Sequence, residues 1–277
     1  MKYERPDADQ RMVRFLSWLS NSNRAMAARS NSQNGRVGFL EPFVGERIRM
    51  SHFSPHLEIL PAPQRALWNE LSEVSGEFVL YGGTALALHL AHRNSVDFDL
   101  FGSRALDPSE IERGVSFLKG ANIIQRDKNT LSAIVDRGGP VKVSFFGVPS
   151  LPRLSAAVIA KDNGLGVASL LDLAGTKASV VQVRAEAKDY IDIDALITVG
   201  KLELPLALSA AQLLYGSAFN PQITLKALSF FDDGNLSQLP ADMKIRLATA
   251  AREVDLDHLP GIGKFTRQIE QDRGYAL

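Results

Sequence analysis

Short apolar strands alternate with helices from about residue 63 to residue 160, and only helix signals follow. This pattern predicts an α/β chain, a small mixed sheet followed by a mostly helical C-terminal part. The sheet is expected to be mixed because helices separate its first strands, whereas the strands on either side of Gly138-Gly139 are close enough to form an antiparallel hairpin. With 277 residues, 45% of them apolar, the chain can bury one large core or two modest ones. The expected division is a basic arm at 1–49, an α/β domain at 50–160 and a helical domain at 161–277.

The arm carries nine Lys or Arg against five acids, and SNSNRAMAARSNSQNGR from Ser20 to Arg36 offers almost nothing to bury. It is expected to be a poorly ordered, solvated tail with one short helix from Gln10 to Leu19. Between Pro63 and Val74, the residues Leu67, Trp68, Leu71 and Val74 recur at helical spacing. Phe78 to Tyr81 reads as an apolar strand, Thr84 to His92 as a helix that Thr84 caps, and Val96 to Phe101 as a second strand. Asp107, Pro108, Ser109 and Glu110 form a helix start, with Ile111, Val115, Phe117 and Leu118 as the apolar side. Strands are expected near Asn122 to Arg126, Thr130 to Asp136 and Val141 to Gly147, and none after about Asp162. The helices expected beyond that point lie near 168–183, 190–199, 205–214, 224–231 and 241–254, with Gly216, Asn220-Pro221, Gly234 and Pro240 between them. The tail reads as irregular, with one helical turn.

The densest chemistry lies in YGGTALALHLAHRNSVDFDLF, residues 81 to 101. Gly82 and Gly83 permit backbone angles or close approaches that a side chain forbids, and the helix start behind them leaves N–H groups free to meet an anion. In the following strand, side chains alternate, so Asp97 and Asp99 share one face while Val96, Phe98 and Leu100 share the other. Two carboxylates on the order of 7 Å apart along a strand can hold a hard cation such as Mg²⁺ through oxygen ligands.

A second block lies about eighty residues downstream. Ser169 and Asp172 fit a capping box that opens an apolar helix, and on that reading alone Asp172 needs no role beyond structure. Asp189 and Asp192 equally fit acids in the first turn of a helix, where they complement its dipole. Lys177 interrupts an apolar helix, so its charge is either solvated or turned into a cleft. In an unbroken helix, Lys177, Arg184 and Lys188 would form a cationic stripe at i, i+7 and i+11, suited to triphosphate oxygens.

Composition narrows the remaining classes. Without cysteine there are no disulfides and no thiolate-bound zinc, as in an intracellular protein, and the five histidines show no zinc-hydrolase spacing. Thirty-one basic and 31 acidic residues leave no overall positive field for nucleic acid. No apolar run reaches the roughly 18 residues of a membrane span, and no signal core opens the chain. The expected location is the cytoplasm.

Taken together, the two blocks resemble the AbiEii/AbiGii toxin family of the polymerase-β-like nucleotidyltransferases. The first block, Gly82, Gly83, Thr84, Ala85 and Leu86 with Arg93, Ser95, Asp97, Asp99 and Leu100, is similar to that family's Gly-Gly and Asp-x-Asp signature. Asp172, Lys177, Arg184, Lys188, Asp189 and Asp192 resemble its second signature, and the matched segments frame residues 77 to 199. The resemblance implies transfer of a nucleotidyl group from an NTP to an acceptor hydroxyl such as one on RNA or a tRNA end. It also implies a toxin role with a cognate antitoxin. By the same token Asp97, Asp99, Lys177 and Asp192 become candidate catalytic groups, with Asp97 and Asp99 on the metal. Gly82, Gly83, Thr84, Arg93, Ser95, Arg184, Lys188 and Asp189 become candidate nucleotide contacts. One departure is visible: a third acid on the neighbouring strand is replaced by Ser144, with Asp136 the nearest substitute. That departure leaves open a catalytically inactive relative that keeps the nucleotide pocket as an interaction module, and neutral net charge leaves open a small-molecule acceptor.

Overall fold

The computed structural model describes residues 51–149 and 151–262, so the expected arm with its helix, and the tail beyond Ile262, lie outside the described residues. Among the described residues, eight strands form one sheet: β1 (His52–Phe53), β2 (Phe78–Tyr81), β3 (Asp97–Gly102), β4 (Asn122–Asp127), β5 (Thr130–Asp136), β6 (Pro140–Gly147), β7 (Val158–Ala160) and β8 (Gly166–Val167). Their spatial order is β1-β7-β8-β2-β3-β6-β5-β4. The sheet is mixed as expected, since β3 runs parallel to β6 and β2 to β8, while β2 is antiparallel to β3 and β5 to both of its neighbours. Gly138 and Gly139, both at positive φ, make the hairpin turn that returns β5 into β6.

The helices are α1 (Ala62–Trp68), α2 (Gly82–Leu90), α3 (Pro108–Gly114), α4 (Leu170–Val180), α5 (Ala187–Thr198), α6 (Leu204–Tyr215), α7 (Pro221–Ala227) and α8 (Ala241–Arg252). Two expected helices are shorter than the spacing suggested, because α1 passes into a 3-10 stretch at Asn69–Val74 and α3 is followed by a separate 3-10 turn at Ser116–Leu118. The core between sheet and helices is built on Trp68, Leu80, Leu86, Phe98, Leu100, Leu131 and Phe145, all fully buried. Each such side chain contributes roughly 1.5–3 kcal/mol by leaving water.

Three expectations are corrected. Strands do continue past Asp162: β8 inserts between β7 and β2. Elements of two or three residues, β1 and β7 included, are too short to leave a periodic signal. The helix after the glycines begins at Gly82, with Tyr81 at its N-cap, so Thr84 sits within the first turn and does not cap it. Finally, α4 stops at Val180, which breaks the cationic stripe that an unbroken helix would have made. The end of α4 is held from outside: Thr224 of α7 donates its hydroxyl to the Ala178 carbonyl, and Gln182 donates to Asn220 and Thr224. The β-branched pair Val180-Val181 also weakens helix continuation there. On its other side α4 packs closely on α6, where a Cβ at Gly175 would lie 2.8 Å from Leu214 and 2.9 Å from the Ala211 nitrogen.

Candidate active site

The turn from β2 into α2 and the return along β3 place the glycines against the carboxylates. Register pairs Tyr81 with Asp99 across the two strands. Gly82 lies at φ +76°, and a Cβ there would come within 2.6 Å of an Asp99 carboxylate oxygen. Glycine is therefore required twice over at this position, by backbone angle and by contact. Gly83 has an ordinary φ, but its missing side chain leaves room for the Arg93 guanidinium and the Ser95 hydroxyl. Thr84 is buried and donates its hydroxyl to the Asp97 carbonyl, with the Ser95 hydroxyl 2.8 Å away. The start of α2 is thereby stitched to the start of β3.

Asp97 and Asp99 share one face of the sheet, both partly buried, while Phe98 and Leu100 are fully buried on the other. Burial, followed by the adjacent charge of Asp97, pushes the Asp99 carboxyl up to about 6, against the opposing pull of Lys177, Lys188 and Arg184. In the next strand Lys142 stands across from Asp97 and Ser144 across from Asp99. Ser144 is buried and shares a 3.1 Å hydrogen bond with Ser132 of β5. Asp136 does not take its place: its carboxylate accepts the Gly139 N–H at 3.0 Å in the exposed hairpin turn. Among the described residues no group of three or more His, Cys, Asp and Glu side chains could hold a metal ion.

Behind the two aspartates lies a buried ion network joining α2, α4 and α5. Lys177, only 4% exposed, places its ammonium 2.8 Å from Asp189 and 2.6 Å from Asp192. Arg184 grips Asp189 in a fork, at 2.7 and 3.0 Å. Arg93 grips Asp192 likewise at 2.7 and 2.9 Å, and His92 Nε2 donates to Asp192 at 2.7 Å. Burial alone would raise both carboxyls, but Lys177 and the forked hydrogen bonds outweigh it and hold Asp189 and Asp192 below the ordinary carboxylate range. Burial likewise opposes the charge on Lys177, and Asp189 and Asp192 restore it. Glu186, at the N-cap of α5, pairs with Lys188 at 3.0 Å and with Arg184 at 3.8 Å.

The structure thus gathers nearly every residue singled out from the sequence. The Asp97–Asp99 pair and the Gly82–Gly83 turn are in contact, Arg93 and Ser95 lie against Gly83, and the charges of Lys177, Arg184 and Lys188 reach Asp99. Asp172 keeps its capping-box role, with Ser169 as N-cap, and additionally accepts the Leu154 N–H at 2.7 Å. Sequence reasoning missed His92, Glu186 and Tyr81. His92 stands beside Arg93 in a stretch already marked as unusual, yet only folding reveals that both reach the same carboxylate a hundred residues away. A cavity of about 440 Å³ opens elsewhere, between the segment from Val181 to Glu186 and the one from Ala227 to Leu236, and neither aspartate lines it.

Comparison with known proteins places this arrangement in a family. A protein of H. pylori, whose crystal structure carries a provisional nucleotidyltransferase description, superposes with a TM-score of 0.46 at 15% identity, over 68% of this chain and 91% of its own. The uncharacterized protein aq_aa25 of Aquifex aeolicus (strain VF5) is 29% identical over 162 residues, 58% of this chain and 76% of the relative. The sequence profile described as nucleotidyl transferase AbiEii toxin, Type IV TA system, matches residues 65–262, a span that contains the glycine turn, both aspartates and the whole ion network. The chain belongs to the AbiEii nucleotidyl transferase toxin family.

Proposed function

We propose that this protein is a Mg²⁺-dependent nucleotidyltransferase that moves a nucleotidyl group from an NTP to an acceptor hydroxyl, with release of pyrophosphate, and that it acts as the toxin opposite a cognate antitoxin. The observation that carries the reading is Asp99, an acid held by burial and by Asp97 in a place that disfavours its own charge until a cation arrives. The donor chemistry fits one hard cation: two carboxylates on one strand face supply oxygen ligands and leave other positions for water and phosphate. Bound there, Mg²⁺ would supply charge neutralisation at the phosphates and a lowered pKa for an attacking hydroxyl.

The chain's own groups then have separate tasks. Gly82, Gly83 and Thr84 present the first N–H groups of α2 to the leaving phosphates. Lys177, Arg184 and Lys188 hold a positive field around Asp99, while Asp189 and Asp192 fix the first two of them in place. Arg93 and Ser95 lock the glycine turn against β3. RNA, including a tRNA end, is the proposed acceptor, to be met by local contacts because the net charge is zero. Among the described residues, no helix is long and apolar enough to cross a membrane, and the proposed setting is the cytoplasm.

Incubation with each α-labelled NTP, Mg²⁺ and total RNA, protein or small-molecule fractions tests the proposal. Label should enter a single fraction in the wild type and none with Asp97→Asn or Asp99→Asn. Label transfer that persists in both variants would remove these aspartates from the chemistry. Ser144 opposite Asp99 favours one rival, an inactive relative that binds nucleotide without turnover. Nucleotide binding with no labelled product in any fraction would establish it.

A further inference from the structure

Where two cations clamp the attacking and leaving oxygens of a phosphoryl transfer, the second needs carboxylate ligands of its own. Among the described residues no third carboxylate joins Asp97 and Asp99. Ser144, the register partner of Asp99, is buried and shares its hydrogen bond with Ser132 at 3.1 Å. What β6 does bring to this face of the sheet is a cation. Lys142 is the register partner of Asp97 in a parallel pair, and such partners project to the same side from strands about 5 Å apart. Its register partner on the other flank is Ile134 of β5, so Asp97 is the one ionisable residue directly across from it on either neighbouring strand.

The deeper cations are committed elsewhere. Lys177 is shared by Asp189 and Asp192, Arg184 is forked on Asp189, and Lys188 is paired with Glu186. All three come from α4, α5 and the turn between them, whereas Lys142 stands half-buried within β6, in register with the carboxylates themselves. The charge on the face then argues for a single divalent cation. Two carboxylates and one ammonium leave it one negative charge, which one divalent cation turns into one positive charge. A second cation would meet Lys142 and Ser144 where it needs an acid.

We propose that Lys142 supplies the second positive charge of the reaction, contacting a non-bridging oxygen of the α-phosphate while one divalent cation rests on Asp97 and Asp99. The inference rests on the nucleotidyltransferase reading of that pair and gives the same site a further catalytic residue. In the step it serves, the acceptor oxygen bonds to the α-phosphorus and the bond from that phosphorus to its bridging oxygen breaks. The electron pair leaves with pyrophosphate, and the acceptor's proton passes to solvent. A crossed signature follows. Lys142→Ala should lower kcat by about 100-fold or more, as loss of one preorganised charge does. The same variant should bind Mn²⁺ about threefold tighter or more without nucleotide, because a like charge beside Asp97 is gone. A lysine that only props the strand would weaken both. Lys142→Arg keeps the charge and should recover part of the rate.

Mn²⁺ titrations of the full chain followed by electron paramagnetic resonance, with and without a non-hydrolysable NTP, test this alongside label-transfer kinetics. Melting temperatures check that the variants fold. Wild type should hold one Mn²⁺ per chain in the presence of the nucleotide analogue, and two would overturn the assignment whether or not any variant folds. Unchanged kcat in Lys142→Ala, or weaker Mn²⁺ binding by that variant, would overturn it as well, while leaving the nucleotidyltransferase reading intact. A wild type that neither transfers label nor binds Mn²⁺ overturns both.

Discussion

Asp99 couples the candidate site to pH. Burial and the neighbouring Asp97 push its carboxyl up to about 6 from an ordinary 3.8, so the folded state holds this proton more tightly than the unfolded chain does. The stability that the group contributes is therefore full below the ordinary value and is lost as pH rises through about 6. Metal-free protein is expected to lose up to about 2 kcal/mol across that window, a figure reduced for partial exposure. The Asp99→Asn variant should lack this component, as denaturant titrations at pH 4.5, 5.5 and 7 would show by difference. A cation competes with the same proton, so stabilisation by Mg²⁺ and a non-hydrolysable NTP should grow over the same window in the wild type and be absent in the variant. Parallel pH profiles for the two proteins would mean that Asp99 is not held in opposition to its own charge. The pairing of Asp97 with Asp99 was legible in the sequence, because a two-residue period fixes which side chains share a face. The contact of Asp99 with Gly82 was not, since it depends on how β2 and β3 register across a nine-residue helix.

At the scale of elements, the β2–α2–β3 unit and the α4–α5 corner respond differently to small changes. Gly82→Ala must place a side chain at φ +76° and against Asp99, so a loss of about 1–3 kcal/mol is expected together with loss of transfer. Gly83→Ala meets the far end of the Arg93 side chain, which can move, and should cost clearly less in stability while loosening Arg93 from Asp192. Thermal melts of the two variants decide the ordering, and a larger loss at Gly83 would contradict it. Lys177→Ala leaves Asp189 and Asp192 buried with one cation fewer, and a loss of about 3–5 kcal/mol is expected. An unchanged denaturation midpoint would mean that the two acids find other partners. The second block could be recognised from its residue types, but its geometry could not. Spacing along an unbroken helix suggested a cationic stripe, whereas the chain turns between Val180 and Ala187 and folds Arg184 and Lys177 onto one aspartate of the next helix. What holds the end of α4 is a set of hydrogen bonds with Asn220 and Thr224, some forty residues away and invisible to local pattern.

Across the whole molecule, the sheet and the helical part are joined at several independent points. β8, drawn from beyond residue 160, pairs with both β7 and β2. His92 and Arg93, just beyond the end of α2, are tied to Asp192 of α5, and Trp68 of α1 donates to Asp162 at 2.6 Å. The expected order of sheet first and helices afterwards was legible because long amphipathic elements announce themselves, while the two-residue strand that binds the parts together carries no period to read. This connectivity predicts that residues 51–262 unfold as one cooperative unit and that residues 51–160 alone do not fold. The chain has two tryptophans, and in the fragment 51–262 only Trp68, fully buried against the sheet, remains to report on that half. Far-ultraviolet circular dichroism is dominated by the helices, most of which belong to the other half. Fluorescence and dichroism should therefore give coincident urea transitions for 51–262. Separate midpoints, or a sigmoidal transition in 51–160 by itself, would show that the sheet is stable without its late strand and that the site sits between two independently folding parts.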